Sequence, residues 1–397
     1  MKIKLGVIFG GESVEHEVSI ISAIQAMNKL NQDKYDIIPI YITKNNEWYT
    51  GDMLKDIEVY QDLSLIKKYA KNVVLIRKKG RFILQSQGFF KREVKELDLV
   101  FPIVHGTSVE DGVLQGYLKT VGIPFVGSDV LASAISQDKI VQKQVFEVSG
   151  LPITDYIWFY DSDYLDDPDA IIKKVKKLGF PVIVKPASLG SSVGIGTAKD
   201  EDELREKIED AINYDTKIVV EEMVKNLTEV NVSVLGDYEK QDLSEIEEVM
   251  SDNDLLTYED KYINGSKKGN TKGMLSASRK IPAGITEHQK EEVRSVATKA
   301  FRALNSTGNV RIDFLVDKKS KKIYINEVNA CPGSLAFYLW EPLNIDYTEL
   351  LDRMINIAIK DYKRKLKKTY SFDSNILQGF SGLKGTKGLK GLKGSKF

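Results

Sequence analysis

The sequence predicts an α/β protein of three packed units followed by a basic tail, and three observations predict it. Residues 1–127 alternate short apolar runs with helix-period segments, the pattern of a parallel sheet with crossover helices. Residues 128–224 place the strand "PVIVKP" directly before a glycine-serine loop. Residues 225–377 carry the hairpin "VRIDFLVDKKSKKIYINEVN", in which polar and apolar side chains alternate as they must on a two-faced strand.

In the first unit "IKLGVIF" is a buried strand that ends in the Gly10-Gly11 turn. "VEHEVSIISAIQAMNKL" follows, with Val14, Val18, Ile21 and Ile24 at helical spacing. "YDIIPIYIT" and "LDLVFPIV" read as further buried strands, and the less regular stretch from Asn45 to Leu97 reads as an elaboration between them. The second unit predicts a helix near "SAISQDKIVQKQVFEVSG" and a strand at "KIVVEEMV". The third predicts the strand "EVNVSVLGD", a polar loop over 258–274, and a helix around 287–305 before the hairpin. From 378 to 397 the chain is a separate basic tail that repeats Gly-X-Lys five times. With neither proline nor sufficient length for a collagen-like helix, it reads as a disordered cationic extension.

Composition narrows the function. The chain is formally neutral, and the five tail lysines leave the remainder at −5, so no basic surface suggests a nucleic-acid partner. No apolar run approaches a membrane span, and "MKIKLGVIFGGE" reads as a first strand, without a signal-peptide pattern. The single cysteine, Cys331, forms no intrachain disulfide and fits a reducing cytoplasm, the expected location.

Three stretches can do chemistry. In the hairpin, a turn centred on Ser320 sets Asp313 opposite Glu327 and Arg311 opposite Asn329, with Ile312, Phe314, Val316 and Tyr324 on the other, apolar face. Two carboxylates that close repel unless a cation lies between them, and Mg²⁺ accepts a few protein oxygens with phosphate and water as the remainder. An ordinary exposed sheet face with an Arg–Asp pair is the plainer reading. In "IVKPASLGSSVGIG", Lys185 ends a strand before Gly190, Ser191, Ser192, Gly194 and Gly196. Backbone N–H groups of such a loop can wrap phosphates, although the Walker pattern is absent and many such loops are only loops. In "GGESVEHEVS", Glu15 falls in a first helical turn, where an acid also serves the helix dipole. "VHGTSVEDGVLQGYL" places His105 at a strand end, where α/β ligand sites gather, though a lone histidine is most often structural.

Together "FGGESVEHEVSIISA", "HGTSVEDGVLQGYL", "GIPFVGSDVLASAISQDK", "VKPASLGSSVGI", "YEDKY", "RIDF" and "NEVNACPG" resemble, in order, the D-alanine–D-alanine ligase family of the ATP-grasp superfamily. The resemblance implies three domains, with ATP clamped between the second and third and two Mg²⁺ ions, or Mn²⁺ in their place. By the same resemblance Lys139 and Lys185 hold phosphates, Glu221, Met223 and Val224 form the adenine hinge, and Glu229 reaches the ribose. Asp313, Glu327 and Asn329 match metal ligands. Glu15 matches the acid that holds the first amino acid's ammonium, with His105 nearby, and Ser191 and Tyr262 link that acid to a mobile loop whose Lys261 reaches the γ-phosphate. Arg311 and the Gly333 N–H match the oxyanion donors. The implied substrates are D-alanine and a second amino acid, and relatives that pair through the first domain imply a homodimer.

One stretch departs from the family. Where its members carry a serine for the second substrate's carboxylate, "PGSLAFYLWEP" has Tyr338, with Ser334 close by. Two alternatives follow: ligation of D-alanine to D-serine or another amino acid, and a nucleotide-binding protein without catalysis.

Overall fold

The computed structural model describes residues 2–190, 193–250 and 279–372. Ser191, Lys261, Tyr262, the whole of the polar loop and the Gly-X-Lys tail lie outside the described residues.

The first sheet has seven strands in the order β6-β5-β4-β3-β2-β1-β7. Its elements in chain order are β1 (Ile3–Gly10), α1 (His16–Lys29), β2 (Tyr35–Ile42), β3 (Trp48–Thr50), α2 (Leu63–Tyr69), β4 (Lys71–Lys78), β5 (Arg81–Ser86), β6 (Glu93–Leu97), β7 (Leu99–Pro102) and α3 (Val113–Val121). β1 pairs in parallel with β2 and β7, as the sequence predicts. The stretch read as irregular instead adds four antiparallel strands. Lys79 and Gly80 make the β4–β5 turn with φ of 50° and 79°, the backbone a tight hairpin needs.

The buried stripe of α1 also differs from the expectation. Val18 and Ile24 are buried as expected, but Val14 and Ile21 are exposed, and Ile20, Ala23 and Met27 are buried instead. The cause lies at the far end of the chain. A 3-10 turn at Gly333–Leu339 and a final helix at Tyr347–Lys365 pack Leu335, Trp340, Leu351 and Ile355 into the same core as Leu5, Phe9 and Met27. Residues from the third unit therefore roof the first.

The second sheet, in the order β10-β9-β11-β8, is built from α4 (Val130–Gln137), α5 (Lys139–Val148), β8 (Tyr156–Tyr160), α6 (Asp161–Asp166), α7 (Pro168–Val175), β9 (Val182–Pro186), β10 (Gly196–Ala198), α8 (Glu201–Ala211) and β11 (Lys217–Glu222). The helix expected across "SAISQDKIVQKQ" is two helices. Asp138 takes an extended conformation between them and caps α5 by accepting from the N–H groups of Ile140 and Val141. That break sets Lys139 at the first helical position, where its N–H donates to Ala187 O at 2.9 Å.

The third sheet, in the order β14-β13-β12-β15-β16, comprises β12 (Leu227–Gly236), β13 (Gln241–Val249), β14 (Arg279–Lys280), α9 (Glu287–Ala303), β15 (Gly308–Asp317) and β16 (Ile323–Asn329), with α10 the final helix. α9 is covered by its predicted span and covers the apolar face, where Val293, Ala297 and Phe301 meet Val232, Ile312 and Phe314.

The hairpin register is the detail that matters most for the site. Asp313 lies opposite Glu327 and Arg311 opposite Asn329, as the alternation predicts. Nearer the turn the pairing is offset by one, with Val316 opposite Ile323 and Leu315 opposite Tyr324. A bulge at Asn326 absorbs the extra residue, and one residue of slip exchanges the faces. Tyr324 therefore leaves the apolar face assigned to it, and Ile323, Ile325 and Val328 fill that face instead.

Candidate functional site

A cleft of about 320 Å³ opens where the three sheets meet. It is lined by Glu15, His105, Lys139, Lys185, Met223, Val224, Glu229, Arg311, Asp313, Glu327, Asn329, Gly333 and Tyr338, so the structure gathers residues drawn from 15 to 338. Glu221 and Ser334 are not among its lining.

The floor is the third sheet. Across four strands, Glu247, Asn231, Asp313 and Glu327 pair in one row, and Arg311 with Asn329 form the next. Arg311 grips Asp313 with both ends of its fork, Nε to Oδ1 at 2.7 Å and a terminal nitrogen to Oδ2 at 2.8 Å. Asn329 Nδ2 donates to the same Oδ2 at 3.1 Å, which fixes the amide so that its carbonyl oxygen is the remaining donor to a cation.

The row passes a test for Mg²⁺. Its donors are hard oxygens, and the carbonyl oxygen of Asn231, a residue 5% exposed, is buried with no hydrogen-bond partner among the described residues. A metal-bound water would satisfy that acceptor. Among the described residues no three His, Cys, Asp or Glu side chains gather as a metal cluster. Protein atoms alone would thus underfill an octahedral ion, which suits a magnesium completed by phosphate and water.

Cations face this row from the second unit, Lys139 from α5 and Lys185 from β9. Lys139 Nζ donates to Leu189 O at 2.6 Å and lies 3.9 Å from Glu327 Oε2. Lys185 Nζ donates to Asn326 Oδ1, on the bulge, at 3.2 Å. Burial pulls the Lys139 ammonium below the usual lysine value, against the attraction of Glu327. Behind them Glu221 is 2% exposed and lies 3.0 Å from both Lys143 and Lys185, while Thr154 donates to it at 2.9 Å. Burial alone would raise its pKa, but the two lysines win and hold it at about 2. The side chain of Glu221, assigned from sequence to the hinge, is thus turned into a buried lysine pair. Met223 N–H donates to Pro181 O at 3.3 Å, whereas Val224 follows it along the cleft wall.

The third wall comes from the first sheet. Glu15 is the residue just before α1, with its N–H on Ser13 Oγ at 3.0 Å. Its carboxylate packs so closely that a Cβ on Gly190 would sit 2.8 Å from Oε2. At Gly106 a Cβ would meet Ser13 Oγ at 2.2 Å and Glu15 Oε2 at 3.0 Å, and φ is +83°. Gly106→Ala is expected to displace Glu15, lower stability by about 1–2 kcal/mol and raise the KM of a ligand held there. Urea titration and saturation kinetics check it.

His105 works at a distance. Its Nδ1 meets Cys331 O at 2.9 Å and its Nε2 meets Ser22 Oγ at 3.0 Å, while Ser334 N–H donates to the same Oγ at 3.0 Å. A carbonyl can only accept, so Nδ1 carries the proton and Nε2 accepts from Ser22. Burial keeps the ring neutral, its pKa below the usual histidine value despite Glu15 nearby. His105 therefore fixes the turn that carries Gly333. Ser334, Leu335 and Ala336 follow in left-handed conformation, φ of 50°, 54° and 49°. Such backbone costs roughly 1–2 kcal/mol per residue and persists here because Asn309 Nδ2 holds Leu335 O at 2.7 Å and Ser22 holds Ser334 N.

Several site residues were not singled out from sequence. Glu110 accepts from Gly106 N–H at 3.0 Å and Cys331 N–H at 2.8 Å, tying the two loops together, and burial with Glu15 nearby pushes its carboxyl up to about 8. Asn231 had a signal: Glu229, Asn231 and Ser233 alternate with Val230, Val232 and Val234. Glu247 and Arg279 had none, since only the tertiary fold brings them to Tyr338.

The family description "D-ala D-ala ligase N-terminus" matches residues 4–128, and "D-ala D-ala ligase C-terminus" matches residues 145–356. The D-alanine–D-alanine ligase of Thermosipho melanesiensis is 36% identical over 377 residues, covering 95% of this chain and 98% of its own. That of Chloroherpeton thalassium is 39% identical over 375 residues, covering 92% and 99%. Among solved structures, the D-alanine-D-alanine ligase from Coxiella burnetii superposes with a TM-score of 0.78 at 27% identity, covering 92% of this chain and 96% of its own. The VanG D-Ala:D-Ser ligase from Enterococcus faecalis superposes at 0.75 and 30%, covering 90% and 100%. The two family matches together span most of the chain that builds this cleft, and the chain belongs to the D-alanine–D-alanine ligase family.

Proposed function

We infer that this cleft joins two D-alanines in an ATP-dependent, ADP-forming reaction that supplies D-alanyl-D-alanine for peptidoglycan, through an acyl phosphate. The observation that carries the reading is the facing of Asp313 and Glu327 on the third sheet by Lys139 at the start of α5 and Lys185 on β9. A carboxylate is a poor electrophile and needs its oxygen converted into a leaving group.

In this reading Lys139 and Lys185 bind the phosphates, with Met223 and Val224 beside the base and Glu229 at the ribose. Asp313, Glu327 and Asn329 would hold Mg²⁺, which supplies charge neutralisation for phosphoryl transfer. Glu15 holds the ammonium of the first D-alanine, whose carboxylate oxygen attacks the γ-phosphorus and releases ADP. The amine of the second D-alanine attacks the carbonyl carbon, loses a proton, and expels phosphate. Arg311, kept in plane by Asp313, and the Gly333 N–H stabilise the oxyanion between those events. His105 acts by positioning the 331–333 turn. Ser191, Lys261 and Tyr262 complete the set as linker and lid, which excludes water from the acyl phosphate. A homodimer in the cytoplasm is the matching assembly and location; no helix among the described residues is long and apolar enough to cross a membrane.

Oxygen transfer tests the route. D-Alanine labelled with ¹⁸O in its carboxylate is expected to deliver label to the released phosphate. Phosphate without label would overturn the acyl phosphate. Chelation by EDTA is expected to stop ADP release, and added Mg²⁺ to restore it.

The resemblance to a D-Ala:D-Ser ligase keeps one second reading open, a different acceptor, and Tyr338 is the observation that favours it.

A further inference from the structure

The acceptor amino acid brings a carboxylate into the cleft beside Gly333, and a carboxylate needs donors. Both hydroxyls offered by the sequence are engaged elsewhere. Ser334 Oγ donates to Gln25 Oε1 at 2.7 Å, and Tyr338 Oη donates to Glu247 Oε2 at 3.2 Å. Arg311 has two of its nitrogens on Asp313 at 2.7 and 2.8 Å. Among the described residues, one further arginine lines the cleft. The Arg279 guanidinium lies 4.0 Å over the Tyr338 ring, and its Nε is 3.1 Å from Glu247 Oε1.

We propose that Arg279, laid flat on Tyr338 and oriented by Glu247, binds the α-carboxylate of the second amino acid. The proposal rests on the ligase reading given above. Glu247 is 2% exposed and touches Arg279 and Tyr338 with separate oxygens, so the three side chains form one unit. Stacking and the Nε contact have already removed most of the arginine's rotamer freedom, which lowers the ordering penalty of a further ion pair. The guanidinium fork matches a carboxylate in geometry as well as in charge. Tyr338 then acts as a platform, and its hydroxyl serves Glu247. Specificity follows from this arrangement: an acceptor must carry a negative charge at the α-carboxylate, while its side chain meets an aromatic wall.

Initial rates with each D-alanine site resolved test the assignment. Arg279→Gln is expected to raise the KM of the acceptor by about 100-fold, the loss of a charge-assisted pair, and to change the KM of ATP and of the first D-alanine by less than about threefold. D-Alaninamide, which lacks the charge, is expected to be a poorer acceptor than D-alanine for the unmodified chain and an equal one for Arg279→Gln. Arg279→Lys keeps a cation opposite buried Glu247 and so guards against misfolding; an acceptor KM about tenfold higher is expected, since the fork is lost. Tyr338→Phe keeps the ring and removes the hydroxyl, and about a threefold rise is expected. A rise with Tyr338→Phe that equals or exceeds that with Arg279→Gln would overturn the proposal, as would an acceptor KM in both Arg279 variants within threefold of the original. No ADP release by the unmodified chain with any D-amino acid would instead overturn the ligase reading, and this assignment with it.

Discussion

Glu327→Gln is expected to reduce D-alanine-dependent ADP release by at least about a thousandfold, because it removes one of the two carboxylates that would hold the metal. The substitution keeps shape and hydrogen-bonding reach. Glu327 is partly exposed and Lys139 Nζ lies 3.9 Å from its carboxylate, so stability should change by less than about 1 kcal/mol. The loss therefore has to come from chemistry. Steady-state ADP release alongside a urea titration separates the two, and near-normal turnover in a folded variant would remove Glu327 from the metal site.

Glu221→Gln is expected to act in the opposite way, through the fold. Glu221 is buried against Lys143 and Lys185, and the substitution leaves both ammonium groups without their counter-ion. Breaking a buried pair in this manner costs roughly 3–5 kcal/mol and would lower the thermal midpoint by on the order of 10 °C. The pH dependence carries a definite sign. The folded pKa is depressed to about 2 from a reference of 4.5, so the carboxylate's contribution is complete above the reference value and fades as pH falls towards 2. The stability gap between the original chain and the variant should be widest at neutral pH and narrow below about 4.5, as denaturant midpoints across that range would show. A constant gap would mean that shape, not charge, holds the triad.

The two results divide the site into a part that reacts and a part that supports, and the sequence revealed the first far better than the second. Asp313, Glu327, Arg311 and Asn329 sit on strands whose period of two is local, so alternation together with a turn centred on Ser320 put them on one face in the right register. The bulge at Asn326 escaped notice because an inserted residue leaves no mark when the residues on both sides remain strand-like. It moved Tyr324 to the cleft face while sparing the four residues nearest the chemistry. Glu15 was visible as an acid at a helix start and His105 as a polar group at a strand end, but their roles depend on contacts that span the chain. His105 bonds to Cys331, and Ser22 bonds to Ser334. The same long-range packing of the 333–365 segment adds Ile20, Ala23 and Met27 to the buried face of α1, beside the expected Ile24. Glu221 read as a hinge residue by position along its strand. Only the buried placement of Lys143, one helical turn after Lys139, reveals it as a counter-ion. Arg279 comes from a two-residue edge strand and Glu247 from the strand beside it, and their meeting over Tyr338 is a property of the third sheet as a whole.

The central claim is that the cleft links two D-alanines at the expense of ATP. The most direct measurement is ADP release with ATP, Mg²⁺ and single D- and L-amino acids, with mass spectrometry of the product. The account predicts ADP release that depends on D-alanine, with D-alanyl-D-alanine as the main product and one ADP per dipeptide. Nucleotide binding with no amino-acid-dependent ADP release would contradict it.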